Sequence, residues 1–352
     1  MKKLRGLHVF RLRLMSWSLT FVLGLGLTAC SQDHGTDQLI RLVGETMGTT
    51  YSIKYPSPSV NLEPPVVQQH IDRILERIDA RMSTYREDSE LTLFNKTRST
   101  EWMMVSAETM AVVKEAIRLS RMTDGAFDVT VAPLVNLWGF GSSGTPQDVP
   151  THEAIREALH TVGYQRIHVQ DSPSALRKEN PAVQIDLSAI AKGYAVDQVA
   201  EYLDSVKVAH YLVEIGGELR SKGYKAQDLA WKVAIEKPVT GGRTVFRVLA
   251  LQDHAMATSG DYRNFFERQG ERFSHTIDPK TGRPITHQLA SVTVLNQSCM
   301  WADALATGLM VLGTEAGYEL ARREKLPALF ITRSEHGYRE RATPEIEQFL
   351  VG

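Results

Sequence analysis

The chain is organised around the stretch Ile185-Asp186-Leu187-Ser188-Ala189-Ile190-Ala191-Lys192-Gly193-Tyr194-Ala195-Val196-Asp197. Its first part, with Val183 upstream, predicts a short apolar strand, and its second part predicts a helix rich in small residues. Small side chains at a strand-to-helix junction let a ligand approach the backbone closely. Because Asp186 and Lys192 place opposite charges around that opening, the junction suits a nucleotide with a hard metal ion. A tightly packed helix with a surface lysine is the alternative that this segment leaves open.

Residues 1–30 have the organisation of a bacterial export signal. A basic segment ends at Arg13, and the apolar run that follows to about Leu27 is shorter than the roughly 20 residues that span a bilayer. The run ends in Leu27-Thr28-Ala29-Cys30, which resembles a lipobox, the signal for lipidation of its cysteine. An uncleaved anchor with an incidental cysteine is the alternative.

These signals divide the chain into three parts. We expect a lipoprotein signal peptide at 1–29, a lipidated Cys30 with a tether at 30–39, and one folded domain at 40–352. The mature protein would then be an exported lipoprotein that is anchored to a bacterial membrane and faces the periplasm. The sequence does not distinguish the inner from the outer membrane.

The composition is that of a globular protein, with 43% hydrophobic and 23% charged residues. The formal net charge is -1, and without the five positive charges of residues 1–30 it becomes -6. A mildly acidic body argues against nucleic-acid binding as the main function. The cysteines are Cys30 and Cys299, so a lipidated Cys30 leaves Cys299 without a partner, and its apolar neighbours predict a buried, inert thiol.

Hydrophobic periodicity predicts an α+β fold. Apolar residues at helical spacing predict helices over 66–82, 106–122 and 151–162, the second with Ser106 as its N-cap. Two strands are expected around Met47-Gly48-Thr49-Thr50, and further strands over 167–169, 183–187, 211–215, 231–235, 245–251, 255–259 and 291–295. Helices over 302–312 and 316–323 and a closing strand over 328–332 follow. Because strands and helices are grouped without strict alternation, we expect mixed sheets with packed helices in one body.

One glycine-rich motif points to no function. Gly139-Phe140-Gly141-Ser142-Ser143-Gly144 matches the dinucleotide pattern G-x-G-x-x-G, which requires a strand before it and a helix directly after it. Pro146 and Pro150 follow instead, so the segment predicts a surface loop.

Asp303 and Thr307 lie four residues apart in a predicted helix rich in Ala and Gly. At this spacing both side-chain oxygens lie on the same face of the helix. A carboxylate, a hydroxyl and a nearby backbone carbonyl form the oxygen-only site that Mg²⁺ prefers. The alternative is an acid that stabilises a helix N-terminus and a threonine bonded to a backbone carbonyl.

Two turn-rich segments add further candidates. The loop His275-Thr276-Ile277-Asp278-Pro279 contains a histidine, the commonest general acid–base residue, although a lone loop histidine is more often structural. Glu214-Ile215-Gly216-Gly217-Glu218 ends a strand with two glycines, which indicates either close approach of a ligand or a plain turn. No His or Cys pair has zinc-ligand spacing, and the sequence contains no serine nucleophile elbow.

Taken together and in order, these segments resemble the ApbE family of FAD:protein FMN transferases. The resemblance covers roughly residues 40–335 and involves nine motifs. They are Met47-Gly48-Thr49, Met82-Ser83-Thr84-Tyr85, Asp124-Gly125-Ala126-Phe127-Asp128, Leu137-Trp138-Gly139-Phe140-Gly141, the segment from Asp186 to Gly193, Glu214-Ile215-Gly216-Gly217-Glu218, Thr258-Ser259-Gly260-Asp261-Tyr262, His275-Thr276-Ile277-Asp278-Pro279, and Ala302-Asp303-Ala304 with Thr307.

The resemblance implies a role for each matching position. Mg²⁺, or Mn²⁺ with the same ligands, would be held by the carbonyl of Ala189 and the side chains of Asp303 and Thr307. FAD, the substrate, would be bound by Met47, Tyr85, Ala126, Phe127, Asp128, Asp186, Lys192 and Ile277. His275 would handle the acceptor proton, so His275 and Asp303 are the implied catalytic residues.

The resemblance also implies the reaction and its partners. FMN would be joined to a Ser or Thr in a D-x-x-[ST]-G-A-T motif of an acceptor protein, with release of AMP. Because the acceptor supplies the nucleophile, the enzyme needs none of its own. Acceptors would be subunits of the sodium-translocating NADH:quinone reductase or of Rnf-type complexes. The alternatives are an FAD pyrophosphatase that gives FMN and AMP, and a non-catalytic periplasmic flavin carrier.

Overall fold

The computed structural model describes residues 39–57, 63–142, 144, 149–225, 228–239, 241–268 and 270–351. The predicted signal peptide, Cys30 and the predicted tether up to residue 38 lie outside these residues. Within the described ranges, no helix combines the length and the apolar character needed to cross a membrane.

The described elements alternate irregularly along the chain. The helices are α1 (Pro64–Met82), α2 (Glu90–Lys96), α3 (Ala107–Met122), α4 (Ala132–Leu137), α5 (His152–Leu159), α6 (Ala191–Ser205), α7 (Cys299–Arg323) and α8 (Pro344–Glu347), with 3₁₀ turns at Val129–Val131 and Tyr164–Arg166. The strands are β1 (Leu39–Thr46), β2 (Thr49–Pro56), β3 (Met103–Met104), β4 (Ile167–Asp171), β5 (Ser174–Lys178), β6 (Tyr211–Ile215), β7 (Glu218–Lys222), β8 (Trp231–Glu236), β9 (Val245–Leu251), β10 (Ala255–Gly260), β11 (Phe265–Arg268), β12 (Glu271–Ser274), β13 (Ile277–Asp278), β14 (Arg283–Pro284), β15 (Leu289–Asn296), β16 (Ala328–Ser334), β17 (Gly337–Ala342) and β18 (Leu350–Val351).

The main sheet has the order β1-β2-β6-β7-β10-β15-β16-β17. The strand pairs described in it are antiparallel. Several neighbouring strands are joined by tight turns, and a tight turn can connect only antiparallel strands. The β1–β2 turn consists of Met47 and Gly48, with φ of 48° and 70°. A two-residue hairpin turn whose twist matches that of the flanking strands requires a positive φ at both positions.

The main sheet separates two hydrophobic layers. Helices α1, α6 and α7 pack on one face, and the small sheet β18-β9-β8 covers the other. Strand β16 shows how the sequence builds both layers, because Phe330 packs towards the helices while its neighbours Leu329 and Ile331 pack towards the small sheet. Successive side chains of a strand point to opposite faces of the sheet, so apolar residues at neighbouring positions of β16 contribute to both layers. The α+β class is therefore confirmed.

Several helix predictions are confirmed with their ends. The first predicted helix is α1, and the second is α3, where the Ser106 hydroxyl accepts the Thr109 N–H as an N-cap. The third is shorter than expected, since α5 ends at Leu159. The helices predicted over 302–312 and 316–323 are parts of α7, which kinks at Gly313, where φ is 77°.

Two strand predictions need correction. Residues 183–187 are buried or partly buried but pair with no strand in the described chain, because side chains and loops satisfy their backbone. The Asn95 amide bonds both the N–H and the carbonyl of Ile185, at 2.7 and 2.8 Å, and the Asp186 N–H donates to the Val129 carbonyl. The predicted closing strand is β16, and β17 continues the sheet beyond it.

The glycine-rich segment at 139–144 follows α4 rather than a strand. The N–H groups of Gly139 and Phe140 bond back to carbonyls of that helix, at Asn136 and Val135. The context of a dinucleotide-binding motif is therefore absent from the described residues here, as the two prolines predicted.

Candidate active site

Two adjoining cavities bring the predicted site residues together. The inner cavity, of about 380 Å³, lies where the start of α6 meets α7, β10 and the loop before β13. The predicted site residues that line it are Tyr85, Ala126, Phe127, Asp128, Asp186, Ala189, Lys192, His275, Ile277, Asp303 and Thr307. The outer cavity, of about 580 Å³, is lined by Met47 and shares Tyr85 and Lys192 with the inner one. The volumes and their continuity suit an extended ligand of cofactor size.

Asp303 is held by the backbone of the neighbouring helix. The residue is 4% exposed, and its Oδ2 accepts the Gly193 N–H at 3.0 Å. Asp303 lines the inner cavity, and its Oδ1 lies 3.8 Å from the Lys192 ammonium. Burial raises the pKa of Asp303, an effect that Lys192 and the Gly193 N–H only partly offset.

Lys192 lies between two buried carboxylates. Its Nζ is 2.7 Å from Glu218 Oε1, and the other oxygen, Glu218 Oε2, is buried without a partner among the described residues. Burial raises the pKa of Glu218 to about 7. Burial alone would lower the pKa of Lys192, but Asp303 and Glu218 outweigh it and hold that pKa above its usual value. One ammonium thus compensates two buried carboxylates incompletely, which favours an additional cation at the site.

Oxygen atoms for such a cation converge beside Asp303. Thr307, one turn further along α7, has its Oγ1 2.9 Å from the Ser259 hydroxyl on β10. The Ala189 carbonyl precedes α6 and accepts no hydrogen bond in the part of the chain that the structure describes. A carboxylate, a hydroxyl and a free carbonyl fit a hard divalent ion. The described residues contain no group of three or more His, Cys, Asp or Glu side chains placed to hold a metal, so backbone and hydroxyl oxygens would be required.

His275 has a fixed orientation at the cavity. Its Nδ1 lies 2.9 Å from the Asn264 carbonyl, so in the neutral ring Nδ1 carries the proton and Nε2 is the acceptor. Its ring lies edge-on to Phe140, with 6.3 Å between ring centroids. Burial lowers the pKa of His275, so the imidazole is neutral over a wider pH range than a free histidine. The residue can therefore accept a proton at neutral pH.

The two aspartates that are predicted to bind FAD differ in how many hydrogen bonds their carboxylates accept from the protein. The Asp128 carboxylate accepts three bonds, from the N–H and hydroxyl of Thr130 and from the Tyr164 N–H, at 2.8, 2.6 and 2.8 Å. It therefore holds the loop after α3, and the residue also lines the inner cavity. Asp186 Oδ1 accepts the Ser188 N–H at 2.8 Å, and the carboxylate still lines the cavity.

Tyr85 and Met47 form the wall that opens to solvent. The Tyr85 side chain is 69% exposed and lines both cavities, so its ring is available to stack on a flat heterocycle. Met47 occupies the left-handed region in the β1–β2 turn, a conformation that a residue other than glycine adopts at some free-energy cost.

Three residues of the site were missing from the sequence-based set. Glu218 pairs with Lys192, Ser259 bonds Thr307, and Asn264 orients His275. Glu218 follows the Gly216-Gly217 turn, and that pattern of glycines before an acid was the available signal. No pattern in the sequence points to Asn264, since its backbone carbonyl, which any residue supplies, makes the contact.

The chain is similar in sequence and structure to flavin transferases. Residues 47–330 match the model of the ApbE family, a range that includes each predicted site residue from Met47 to Thr307. The FAD:protein FMN transferase of Vibrio cholerae serotype O1 is 46% identical over 335 residues, which are 95% of this chain and 99% of that protein.

Two solved structures share the fold over nearly their full length. The flavin transferase ApbE from Vibrio cholerae superposes with a TM-score of 0.82 at 47% identity, covering 89% of this chain and 100% of that one. The apo form of the Pseudomonas stutzeri flavinyl transferase ApbE gives a TM-score of 0.82 at 39% identity, covering 90% of this chain and 98% of that one.

Proposed function

The chain belongs to the ApbE family and is an FAD:protein FMN transferase, and we propose that it moves FMN from FAD to a Ser or Thr hydroxyl of an acceptor protein with the help of Mg²⁺. The acceptor residue lies in a D-x-x-[ST]-G-A-T motif, and AMP is released. The observation that carries the proposal is the cluster of Asp303, Glu218 and Lys192 at the wall of the inner cavity.

That cluster suits the diphosphate of FAD. Lys192 supplies positive charge to phosphate oxygens, and Asp303, which lines the cavity, supplies a ligand for a divalent ion. We assign the metal ligands as the Ala189 carbonyl, the Asp303 carboxylate and the Thr307 hydroxyl. When bound, Mg²⁺ or Mn²⁺ offsets the charge on the phosphate oxygens during phosphoryl transfer.

The FAD-binding role falls to the residues that line both cavities. We assign it to Met47, Tyr85, Ala126, Phe127, Asp128, Asp186, Lys192 and Ile277. Tyr85 offers a ring face, and Asp128 fixes the loop whose backbone lines the cavity. Their contribution to rate is positioning, because a diphosphate held in line with the attacking hydroxyl reacts without losing further orientational freedom.

The chemical step needs one proton acceptor and no protein nucleophile. The acceptor hydroxyl oxygen forms a bond to the phosphorus of the FMN half, and the bond from that phosphorus to the bridging oxygen breaks, so AMP leaves. The hydroxyl proton passes to Nε2 of His275, which is unprotonated because Nδ1–H donates to Asn264. His275 and Asp303 are therefore the catalytic residues of the proposal.

We also propose where the reaction takes place. The export signal and lipobox at residues 1–30 support a lipoprotein that is anchored through Cys30 and faces the periplasm. Acceptor subunits of the sodium-translocating NADH:quinone reductase or of Rnf-type complexes fit that location. A globomycin-sensitive mobility shift, abolished by Cys30→Ala, tests the anchor. A wild-type mobility in that variant would contradict it.

A product assay tests the proposed function. The full chain is incubated with FAD, Mg²⁺ and an acceptor domain, and both nucleotides and protein are followed by mass spectrometry. We expect an FMN-sized gain on the acceptor together with AMP in equal amount. Free FMN with AMP and an unlabelled acceptor would identify an FAD pyrophosphatase instead. Bound FAD without any product would leave a flavin carrier.

A further inference from the structure

Asp197 on α6 closes the first turn of α7. The residue is 6% exposed, and its carboxylate accepts four hydrogen bonds. Oδ1 accepts Arg220 at 2.8 Å and the Cys299 N–H at 3.0 Å, while Oδ2 accepts the Ser298 hydroxyl at 2.7 Å and the Met300 N–H at 3.0 Å. Cys299 and Met300 are the first residues of α7, so their N–H groups have no acceptor within their own helix. Asp197 therefore caps α7 from another element.

In turn, Asp303 on α7 caps the first turn of α6. Gly193 is the third residue of α6, and its N–H likewise lacks an acceptor in its own helix. It donates to Oδ2 of Asp303, which lies four residues after Cys299 on α7. Gly193 and Asp197 are also four residues apart, so each helix presents one carboxylate and one free amide on the same face. The two helices cap each other.

The helices are in direct backbone contact between these two caps. A Cβ at Gly193 would lie 2.4 Å from the Cys299 carbonyl oxygen and 2.7 Å from the Met300 Cα. No side chain separates the two backbones there, so a shift of the α7 first turn moves the helix segment that carries Asp303. Burial of the carboxylates excludes water from the bonds that hold this arrangement.

We propose that Asp197 is a positioning residue for the metal site. By fixing the first turn of α7 against α6, it keeps Asp303 Oδ2 on the Gly193 N–H and so leaves Oδ1, which lies 3.8 Å from the Lys192 ammonium, as the oxygen available to a metal ion. Asp197 does not line either cavity and touches no proposed substrate or metal position. Its part in metal binding rests on the proposed function, whereas its control of the Gly193–Asp303 bond does not.

The chain contains a matched control for a substitution of Asp197. Asp204 lies two turns further along α6 and pairs with Lys222 at 2.7 Å, as Asp197 pairs with Arg220 from the same strand, β7. Asp204 has no contact with α7 among the described hydrogen bonds. Asp197→Asn and Asp204→Asn thus remove the same charge from the same helix, and only the first alters the cap.

Amide exchange at Gly193 tests the positioning directly. The Asp197 carboxylate does not bond the Gly193 N–H, which donates to Asp303, so loss of its bonds to the first turn of α7 reaches this amide through Asp303, and the Asp204 control accounts for a general effect of a substitution in α6. In the full chain without metal, we expect Asp197→Asn to accelerate exchange of the Gly193 amide at least about tenfold, and Asp204→Asn to leave it within about twofold. A folded Asp197→Asn protein with the wild-type exchange rate at Gly193 would overturn the proposal.

Manganese binding gives the second readout. Free Mn²⁺ is followed by electron paramagnetic resonance while the full chain is titrated, and we expect Asp197→Asn to weaken binding about 10- to 100-fold. Unchanged affinity in a folded variant would overturn the metal part of the proposal. If the wild-type chain binds no Mn²⁺ while Gly193 still responds, the positioning stands and the proposed metal site fails.

A milder variant covers the case in which Asp197→Asn does not fold. Ser298→Ala removes the 2.7 Å bond to Asp197 together with the 3.3 Å bond that the Ser298 hydroxyl accepts from the Trp301 N–H, and it retains both backbone bonds to Asp197. We expect it to accelerate Gly193 exchange about threefold. If Gly193 exchanges at the wild-type rate in Ser298→Ala, the proposal is wrong.

Discussion

The ammonium of Lys192 lies 2.7 Å from Glu218, although 26 residues separate the two along the chain. Lys192 belongs to the first turn of α6, and Glu218 begins β7, directly after the Gly216-Gly217 turn. Gly216 has a φ of 63° in this turn, and a Cβ there would crowd Thr49 at 2.9 Å and contact Lys192 Cδ at 3.4 Å. Glu218 thereby draws the lysine partly away from Asp303, which lies 3.8 Å from it.

Glu218→Gln is expected to raise the Mg²⁺ requirement. Without the Glu218 charge, Lys192 pairs with Asp303 and competes with the metal for the same oxygen. We expect the Mg²⁺ concentration for half-maximal rate to increase about tenfold. Glu214→Gln is the matched control, because Glu214 lies before the same turn and bonds the Gly217 N–H instead of Lys192. An unchanged Mg²⁺ dependence in Glu218→Gln would contradict this reading of the cluster.

Gly193→Ala is expected to destabilise the protein and to reduce transfer. The new methyl would overlap backbone atoms of α7 at 2.4 and 2.7 Å, and backbone cannot move aside as a flexible side chain can. Overpacking of this kind costs about 1–3 kcal/mol in free energy of unfolding. Thermal unfolding and the transfer rate measure the two effects. Gly242→Ala is the control, since no atom lies within 4 Å of a Cβ there, and equal stability of the two variants would contradict the prediction.

The pH dependence of transfer is expected to report His275. The proposed base acts when neutral, and burial lowers its pKa from the ordinary 6.5. The pH at which the rate falls to half of its maximum should therefore lie below 6.5. Measured kcat/KM between pH 4.5 and 8 at saturating Mg²⁺ checks this, with His275→Gln expected to be slow and to lack the acid limb. An acid limb centred above pH 7, or one that persists in the variant, would rule out this assignment.

Lys178 makes a separate prediction about stability. Its ammonium is buried and donates to the carbonyls of Phe94, Asn95 and Val183, at 3.2 to 3.3 Å, and it has no carboxylate partner among the residues that the structure describes. Burial lowers its pKa to about 8 from 10.5, so between these values the unfolded chain binds more protons than the folded one. The free energy of unfolding should therefore gain a contribution from Lys178 as the pH rises from 8 to 10.5.

Urea unfolding at several pH values measures that contribution. The difference between the wild type and Lys178→Met isolates it from the other groups that titrate in the same range. We expect the wild type to gain stability relative to the variant as the pH rises through this window. A difference that is independent of pH would show that the lysine titrates normally.

Local signals were sufficient for the elements that depend on local chemistry. The Ser106 cap, the apolar spacing of α1 and the turn at Met47 and Gly48 are each determined by a few neighbouring residues, and the structure has all three. The segment 183–187 shows the limit. Its apolar pattern favours a strand, but the partner of Ile185 is the side chain of Asn95, 90 residues earlier.

In the candidate site, too, local spacing predicted some residues, and others are brought together only by the packing of distant elements. Asp303 and Thr307 could be found because one helix carries both at a fixed spacing. Glu218 could not be assigned to Lys192, because only the packing of α6 on the sheet brings them together. The family resemblance implied that Asp128 binds FAD, and nothing in the sequence indicated that its carboxylate accepts three bonds from within the protein.

The most direct test of the account is the intact mass of an acceptor domain after incubation with FAD and Mg²⁺, using the wild-type chain and Asp303→Ala in parallel. We expect a gain of one FMN with the wild type, lost on chelation of the metal, and no gain with a folded Asp303→Ala protein that still binds FAD. Labelling by Asp303→Ala at a rate near that of the wild type, or wild-type labelling that persists with chelator, would contradict the account.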